Sequence, residues 1–522
     1  MDHFFRRRRR ILQAIPSLLV ASVCPACTSH APDQLHSALL ALDQFASETL
    51  NKSGIPGMAI AVVHNDRVVH LKGYGVREAG RRSTVDTDTI FQLASVSKPM
   101  AATVLAGLVG DGVIGWDDLI TKHVPGFALA DAAATRQVTL RDMFCHRSGL
   151  SEHAGDLLED IGYDRDAILY RLRYLPLDKP LRAGFAYTNF GITQAAVAAA
   201  RAAGQSWEDL AAQRLFRPAG MTSTSFRYQD FVASGNRARL HVAEDGTTYV
   251  AKYERNADAQ SPAGGASASI ADMARWLRII LNDGQLDGVR HVAATELAQT
   301  RQPQIETLPA ALSPVGKNSY YGLGWTVDID ANGRVFNGHS GGFMLGAATN
   351  VTVCVEQRLG IVVLTNAWPV GVAEGIARTF MEWALDGTLS RDWMTLYREG
   401  FTAKLQAGLR GPGDYVQPLP EAEPVKDLQA YAGDYRNDYY GNASVVQNGN
   451  ALTLTIGPDK AAYSLRHWNA DDFLYEPYGE NAVRIAKVSF GVANSGKAER
   501  LRVEYLDQNR EGDFLRVPLP QS

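Results

Sequence analysis

The apolar and polar positions divide this 522-residue chain into a strand-bearing start, a helical middle, a strand-bearing return and a strand-only tail. After an opening helix from about Leu35, an apolar run begins at Met58, breaks at Asn65-Asp66 and resumes to Gly73, which predicts a hairpin with its tip at the Asn-Asp pair. Helical patterning then dominates from Ser95 to about Ile280, with an apolar helix over residues 99–110 and an Ala-rich one over 192–203. Strand-like runs return at 322–327, 346–355 and 359–366, followed by a helix over 372–385. Strands at both ends with helices between them predict an α/β (α+β) class fold. One antiparallel sheet is assembled from the two ends of residues 35–385, helices flank it, and the middle forms a helical lobe.

Beyond this block the character changes. A helical stretch over 391–409 leads into Gly411-Pro-Gly-Asp and the Pro-rich residues 418–424, so residues 386–425 read as a helix and linker. From Lys426 to Ser522 the pattern is strands and turns. Asn448-Gly449 is a hairpin signal, Leu452, Leu454 and Ile456 alternate with Thr, and Leu501, Val503 and Tyr505 alternate with charged residues. A segment of about this length suffices for a small β-barrel. Tyr435, Tyr439 and Tyr440 cluster within it and are expected to fill its interior rather than line a ligand pocket.

Composition changes this picture little. Hydrophobic residues make up 46% and charged residues 21%, as in ordinary globular proteins. The formal charge of −4 gives no support to nucleic-acid binding. The N-terminus is distinctive: Arg6 to Arg10 precede a short apolar run over 11–23, so residues 1–31 read as an export signal and the protein as periplasmic or secreted. Cys24 and Cys27 fall at the end of that segment. Neither has the usual Leu three residues before it, so a lipid-anchored form has weak support. No other run of 18 apolar residues occurs, and the mature protein is expected to have no stable membrane span. Cys145 and Cys354 lie in apolar segments and read as buried thiols. The 12 histidines show no His-Glu-x-x-His spacing, and neither a metal site nor a cofactor is expected.

The chemistry points to Phe91-Gln-Leu-Ala-Ser95-Val-Ser-Lys98-Pro99, the one Ser-x-x-Lys in the chain. A serine hydroxyl needs an adjacent base to act as a nucleophile. A lysine three residues on lies on the same helical face, and if desolvated it can take the serine's proton. Ser95 then stands at a helix N-terminus, which favours a developing oxyanion. Downstream come Tyr187-Thr-Asn189 and His339-Ser-Gly341-Gly342.

In this order, Ser-x-x-Lys, Tyr-x-Asn and a basic-residue-x-Gly triplet resemble the serine β-lactamase and penicillin-binding protein superfamily. The closest likeness is to class C β-lactamases and their esterase, D-aminopeptidase and other peptidase relatives. Residues 138–150, with His146-Arg-Ser-Gly-Leu150, as well as Tyr321-Gly-Leu-Gly-Trp325 and 361–366, are also similar to that family. Residues 431–435 and 467–473 resemble the lipocalin-like barrel that follows the catalytic domain in some of these hydrolases. The resemblance implies an acyl-enzyme on Ser95, with Lys98 as first candidate for the base and Tyr187 as second, since a phenol between two cations can lose its proton. It implies that Tyr187 relays the proton to the leaving group and that Asn189 bonds the substrate's amide. The N–H groups of Ser95 and Gly342 would form an oxyanion hole. Gly341 and Gly342 would let the substrate lie along the strand.

His339 departs from the family pattern. Many penicillin-recognising members carry Lys there, and a neutral imidazole lacks the fixed charge that helps bind a carboxylate. The expected activity is therefore an amide- or ester-cleaving serine hydrolase of peptidase or esterase type, acting on a small molecule or peptide. A β-lactamase or D-alanyl-D-alanine carboxypeptidase, and a non-catalytic penicillin-binding-like module, stand as alternatives. The C-terminal domain is expected to shape access or assembly, including oligomer formation, rather than chemistry.

Overall fold

The computed structural model describes residues 31–244, 248–313, 316–410, 415, 419, 421–482 and 484–518. Residues 1–30 of the export-signal segment, with Cys24 and Cys27, therefore lie outside the described residues, as do 411–414, 416–418 and 420 of the linker.

The hairpin consists of β1 (Gly57–His64) and β2 (Arg67–Gly75), with Asn65 and Asp66 at positive φ in its tip. The return strands are β3 (Ile305–Leu308), β4 (Ser319–Tyr321), β5 (Thr326–Ile329), β6 (Val335–Phe343), β7 (Ala347–Cys354) and β8 (Leu359–Thr365). They join the hairpin in one antiparallel sheet of order β2-β1-β8-β7-β6-β5-β4-β3, with Met58 opposite Thr365 and His64 opposite Leu359. The two ends of the segment thus share one sheet, as the pattern predicts.

The expected strand over 322–327 is displaced. Residues 322–325 form a bend in which Gly324 takes φ +79 and a Cβ would lie 2.8 Å from the Lys98 carbonyl, and pairing resumes only at Thr326. Strands β3 and β4 carry no strong alternation and were not legible from the pattern.

Helices cover both faces. On one face α2 (Ser97–Gly110) and α4 (Ile270–Leu281) pack against Ala59, Ala61, Val351 and Val362. On the other, α1 (Ala31–Ser53) and α5 (Val372–Asp386) pack against Ile60, Val62, Ile361 and Val363. Successive strand residues point to opposite faces, so covering both faces requires β1 and β8 to be apolar almost throughout. The helical middle is a lobe of short helices around α3 (Asn189–Ala202), which is sealed into the core by Phe190, Ile192, Ala195 and Ala199. A last helix, α6 (Trp393–Arg410), packs on α5.

The tail forms a closed antiparallel barrel of β9 (Gly433–Asn437), β10 (Gly441–Asn448), β11 (Ala451–Ile456), β12 (Ala461–Asn469), β13 (Asp472–Tyr475), β14 (Ala486–Val492), β15 (Ala498–Val503) and β16 (Asp513–Arg516). Its inward residues, including Leu454, Val488, Leu501 and Phe514, are buried, as are Tyr435, Tyr439 and Tyr440. The barrel is not set apart from the rest. Its buried residues are continuous with the apolar core of the helical lobe. The Tyr163 hydroxyl donates to the Tyr440 carbonyl at 3.0 Å, and Arg171 donates to the carbonyls of Asp438 and Tyr439 at 2.9 Å each.

Candidate active site

Ser95 sits on a 3-10 turn, Ala94–Val96, that leads directly into α2. The turn is entered through Ala94 at φ +47, a left-handed conformation costly for a residue with a Cβ. That geometry lifts Ser95 to the surface of the cleft while Ala94 and Val96 stay buried. Beside it runs β6. A Cβ at Gly341 would lie 2.2 Å from the Leu93 carbonyl and 3.0 Å from the Ser95 nitrogen, so only glycine lets the strand approach the turn this closely. Gly342, next along, is exposed to the cleft.

Two of the residues singled out in the sequence, Lys98 and Tyr187, converge on the Ser95 hydroxyl. Lys98 Nζ lies 2.9 Å from Ser95 Oγ, and the Tyr187 hydroxyl donates to the same oxygen at 2.8 Å. Lys98 Nζ also donates to Asn189 Oδ1 at 2.7 Å and to the Ala263 carbonyl at 2.8 Å. Lys98 is wholly buried, and that burial brings its pKa down to about 7, with the charge of Asp156 opposing the shift. When the amine is neutral, two N–H bonds serve the two obligate acceptors. The third direction, a lone pair, then faces Ser95 Oγ, so the arrangement is chemically able to receive the serine proton.

Three of the expected roles meet further contacts in the structure. Burial pushes the Tyr187 phenol above its usual range, so it keeps its proton. Lys98 lies against its ring at 4.6 Å, and of the three imidazoles around it, those of His146 and His339 are held neutral by burial while Asp156 raises the pKa of His153. Asn189 does not point a free amide at the cleft, because its Nδ2 donates to both oxygens of Asp156 at 3.0 and 3.2 Å. His339 is not free to bond a substrate. Its Nδ1 lies 2.6 Å from the Ser340 carbonyl, which must accept, so Nε2 is the acceptor for the Tyr321 hydroxyl at 2.8 Å. Burial, with the Lys98 charge next, lowers the His339 pKa to about 3.

Sequence reasoning missed the support behind these groups. Asp156 gave no signal, yet it holds Asn189 and accepts from His153 Nδ1 at 2.9 Å. His146 and Tyr321 lay in segments noted only for resemblance. His146, buried at φ +61, accepts the Thr188 N–H at 3.1 Å, and its ring lies 4.5 Å from that of Tyr187 and 4.6 Å from that of Tyr321. Cys145 and Cys354 are buried free thiols. Among the described residues, no helix is long and apolar enough to cross a membrane.

Comparison with known proteins gives the site its context. The family model described as Beta-lactamase matches residues 42–382, and one described as Domain of unknown function (DUF3471) matches 417–515. The chain is 29% identical over 394 residues to "Penicillin-binding protein 4" of Amycolatopsis lactamdurans, covering 74% of this chain and 94% of that protein. It is 24% identical over 486 residues to "Unguisins hydrolase ungD" of Aspergillus violaceofuscus, covering 86% and 85%. It is 25% identical over 338 residues to "D-alanyl-D-alanine-carboxypeptidase/endopeptidase AmpH" of Escherichia coli, covering 63% and 84%. Among solved structures, the octameric penicillin-binding protein homologue from Pyrococcus abyssi shares the fold, with a TM-score of 0.58 at 18% identity over 91% of this chain and 99% of that one. With well over half of its length under one family model, the chain belongs to the beta-lactamase family.

Proposed function

We propose that this protein is a serine hydrolase of peptidase or esterase type that cleaves an amide or ester through an acyl-enzyme on Ser95. The observation that carries the reading is the Ser95 hydroxyl held between Lys98 Nζ at 2.9 Å and the Tyr187 hydroxyl at 2.8 Å. Neutral Lys98 takes the Ser95 proton as Oγ attacks the carbonyl carbon. The N–H groups of Ser95 and Gly342 stabilise the oxyanion. The protonated Tyr187 delivers its proton to the departing group and is reprotonated from Lys98. Water then attacks the ester, gives its proton to the same pair and releases the acid and free Ser95. Asn189 and Asp156 hold Lys98 in place. No cofactor enters these steps.

A fluorophosphonate probe followed by peptide mass spectrometry tests the assignment. Label is expected on Ser95 and none on Ser95→Ala. Adduct on another serine would overturn it. Lys98→Ala and Tyr187→Phe should each lower turnover by on the order of a hundredfold or more.

The names of the relatives favour a second reading, a β-lactamase or D-alanyl-D-alanine carboxypeptidase. His339 weighs against it, since an uncharged imidazole with both nitrogens occupied offers a substrate carboxylate no cation. Turnover of nitrocefin or release of D-alanine faster than that of simple esters would decide for it. Failure of every probe to label Ser95 in folded protein would decide for a non-catalytic module. The Pyrococcus abyssi homologue is octameric, and self-association, through the barrel among other surfaces, is part of the proposal. Light scattering on the purified protein measures it.

A further inference from the structure

Two cavities lie along β6, the strand beside Ser95. One is lined by Tyr187, Tyr321 and Ser340, on the side where Tyr187 meets the departing group. The other, of about 450 Å³, lies past the opposite end of the strand and includes Met344, Leu345 and Trp368. Leu345 packs against the cluster that contains Ala94, the residue before Ser95, and Gly342 abuts Pro369, the neighbour of Trp368. If the leaving group exits at Tyr187, the acyl part of the substrate extends into this second cavity.

The far wall of that cavity belongs to the barrel. The segment between β13 and β14 brings Pro477, Tyr478 and Glu480 against the catalytic domain. It is anchored firmly. The Asp160 carboxylate accepts the N–H groups of Glu480 and Asn481 at 2.9 and 3.0 Å. Glu480 in turn accepts the N–H of Met344 and faces Arg255, which is paired with Glu159. The charged side chains that line the cavity among the described residues are thus engaged with the protein: Glu480 as stated, and Lys252 with Glu244 at 3.3 Å. What remains for a ligand is apolar and aromatic surface. Tyr478 is 61% exposed and lies with its ring 6.3 Å from that of Tyr253.

We propose that this cavity is the acyl pocket of the enzyme, that it takes an uncharged aromatic or apolar acyl group, and that the C-terminal barrel determines this specificity through Tyr478. The proposal rests on the serine-hydrolase reading. An anionic acyl group would find no free cation there, because Lys252 is paired with Glu244 and Arg255 with Glu159.

The test uses the full-length protein and three p-nitrophenyl esters that share a leaving group: acetate, phenylacetate and monosuccinate. Wild type should show the highest kcat/KM for phenylacetate and the lowest for monosuccinate, each corrected for its uncatalysed rate. Tyr478→Ala should lower kcat/KM for phenylacetate roughly three- to tenfold, the worth of one aromatic contact, and leave acetate within about twofold. Tyr478→Phe should keep the wild-type selectivity. Tyr478 is largely exposed, so its removal leaves the barrel core intact. An unchanged phenylacetate-to-acetate ratio in Tyr478→Ala, or a wild-type preference for monosuccinate, would overturn the pocket while Ser95 still labels with fluorophosphonate. Absence of Ser95 labelling would overturn the hydrolase reading and this one with it.

Discussion

The Tyr439 hydroxyl of the barrel accepts the backbone N–H of Gly155 in the helical lobe at 2.9 Å. Gly155, at φ +96, is packed so closely on Phe190 that a Cβ there would sit 2.5 Å from its ring. The next residue, Asp156, holds Asn189, and Asn189 holds Lys98. A barrel side chain is thus linked to the lysine beside Ser95 by three hydrogen bonds and one peptide bond. The tail, expected to shape access or assembly, is also packed onto the lobe that holds the catalytic groups.

Removing the acceptor should therefore be costly. Tyr439→Phe leaves the buried Gly155 N–H unpaired, which costs about 1–3 kcal/mol of stability. Thermal denaturation should show a lowered Tm, with a smaller effect on kcat. Deletion from Pro424 onward should do more, because it exposes the lobe residues that share a core with the barrel. It should yield aggregated protein. A soluble, folded truncation that labels on Ser95 at the wild-type rate would contradict the coupling.

The pH profile should follow Lys98. An unperturbed lysine is neutral at pH 7 in roughly one molecule in three thousand. With its pKa brought down to about 7, about half of the Lys98 amines are neutral there. The value of kcat/KM for an uncharged ester should rise through pH 7 to a plateau, and fall about tenfold per unit well below it. Folding stability should rise with pH between about 7 and 10.5, because the unfolded lysine holds a proton in that window that the folded one has lost. Lys98→Met should abolish that rise in chemical denaturation measured across the window.

His339 stays neutral across the working range, because its pKa is held near 3. Lowering the pH from 8 to 5 should therefore not recruit carboxylate-bearing substrates. A fixed cation should. A charge-assisted hydrogen bond exceeds a neutral one by about 1–2 kcal/mol. His339→Lys should raise acylation by benzylpenicillin relative to p-nitrophenyl butyrate by roughly tenfold. An equal ratio in the two proteins would assign the discrimination to other residues.

Export should remove the arginine-led segment. Mass spectrometry of the protein from a periplasmic or secreted fraction should find an N-terminus close to Ala31. Intact protein starting at Met1 in the cytosol would refute this.

The sequence by itself determined the periodic features and the local chemistry. The hairpin tip at Asn65-Asp66, the strands flanking Arg358 and the barrel alternation at Leu452, Leu454 and Ile456 were legible because burial imposes a repeat along the chain. Ser95 and Lys98 were legible because three residues of helix set their proximity. Only the tertiary structure decided the protonation states and the partners. Burial favours the neutral amine of Lys98, the protonated resting phenol of Tyr187 and the neutral imidazole of His339. Asn189 turns inward because Asp156, 33 residues away, claims its amide. One barrel loop lies against the catalytic domain because Asp160 and Arg255 hold Glu480 there. Such contacts carry no period and no spacing, since they depend on which surfaces meet once the chain has folded.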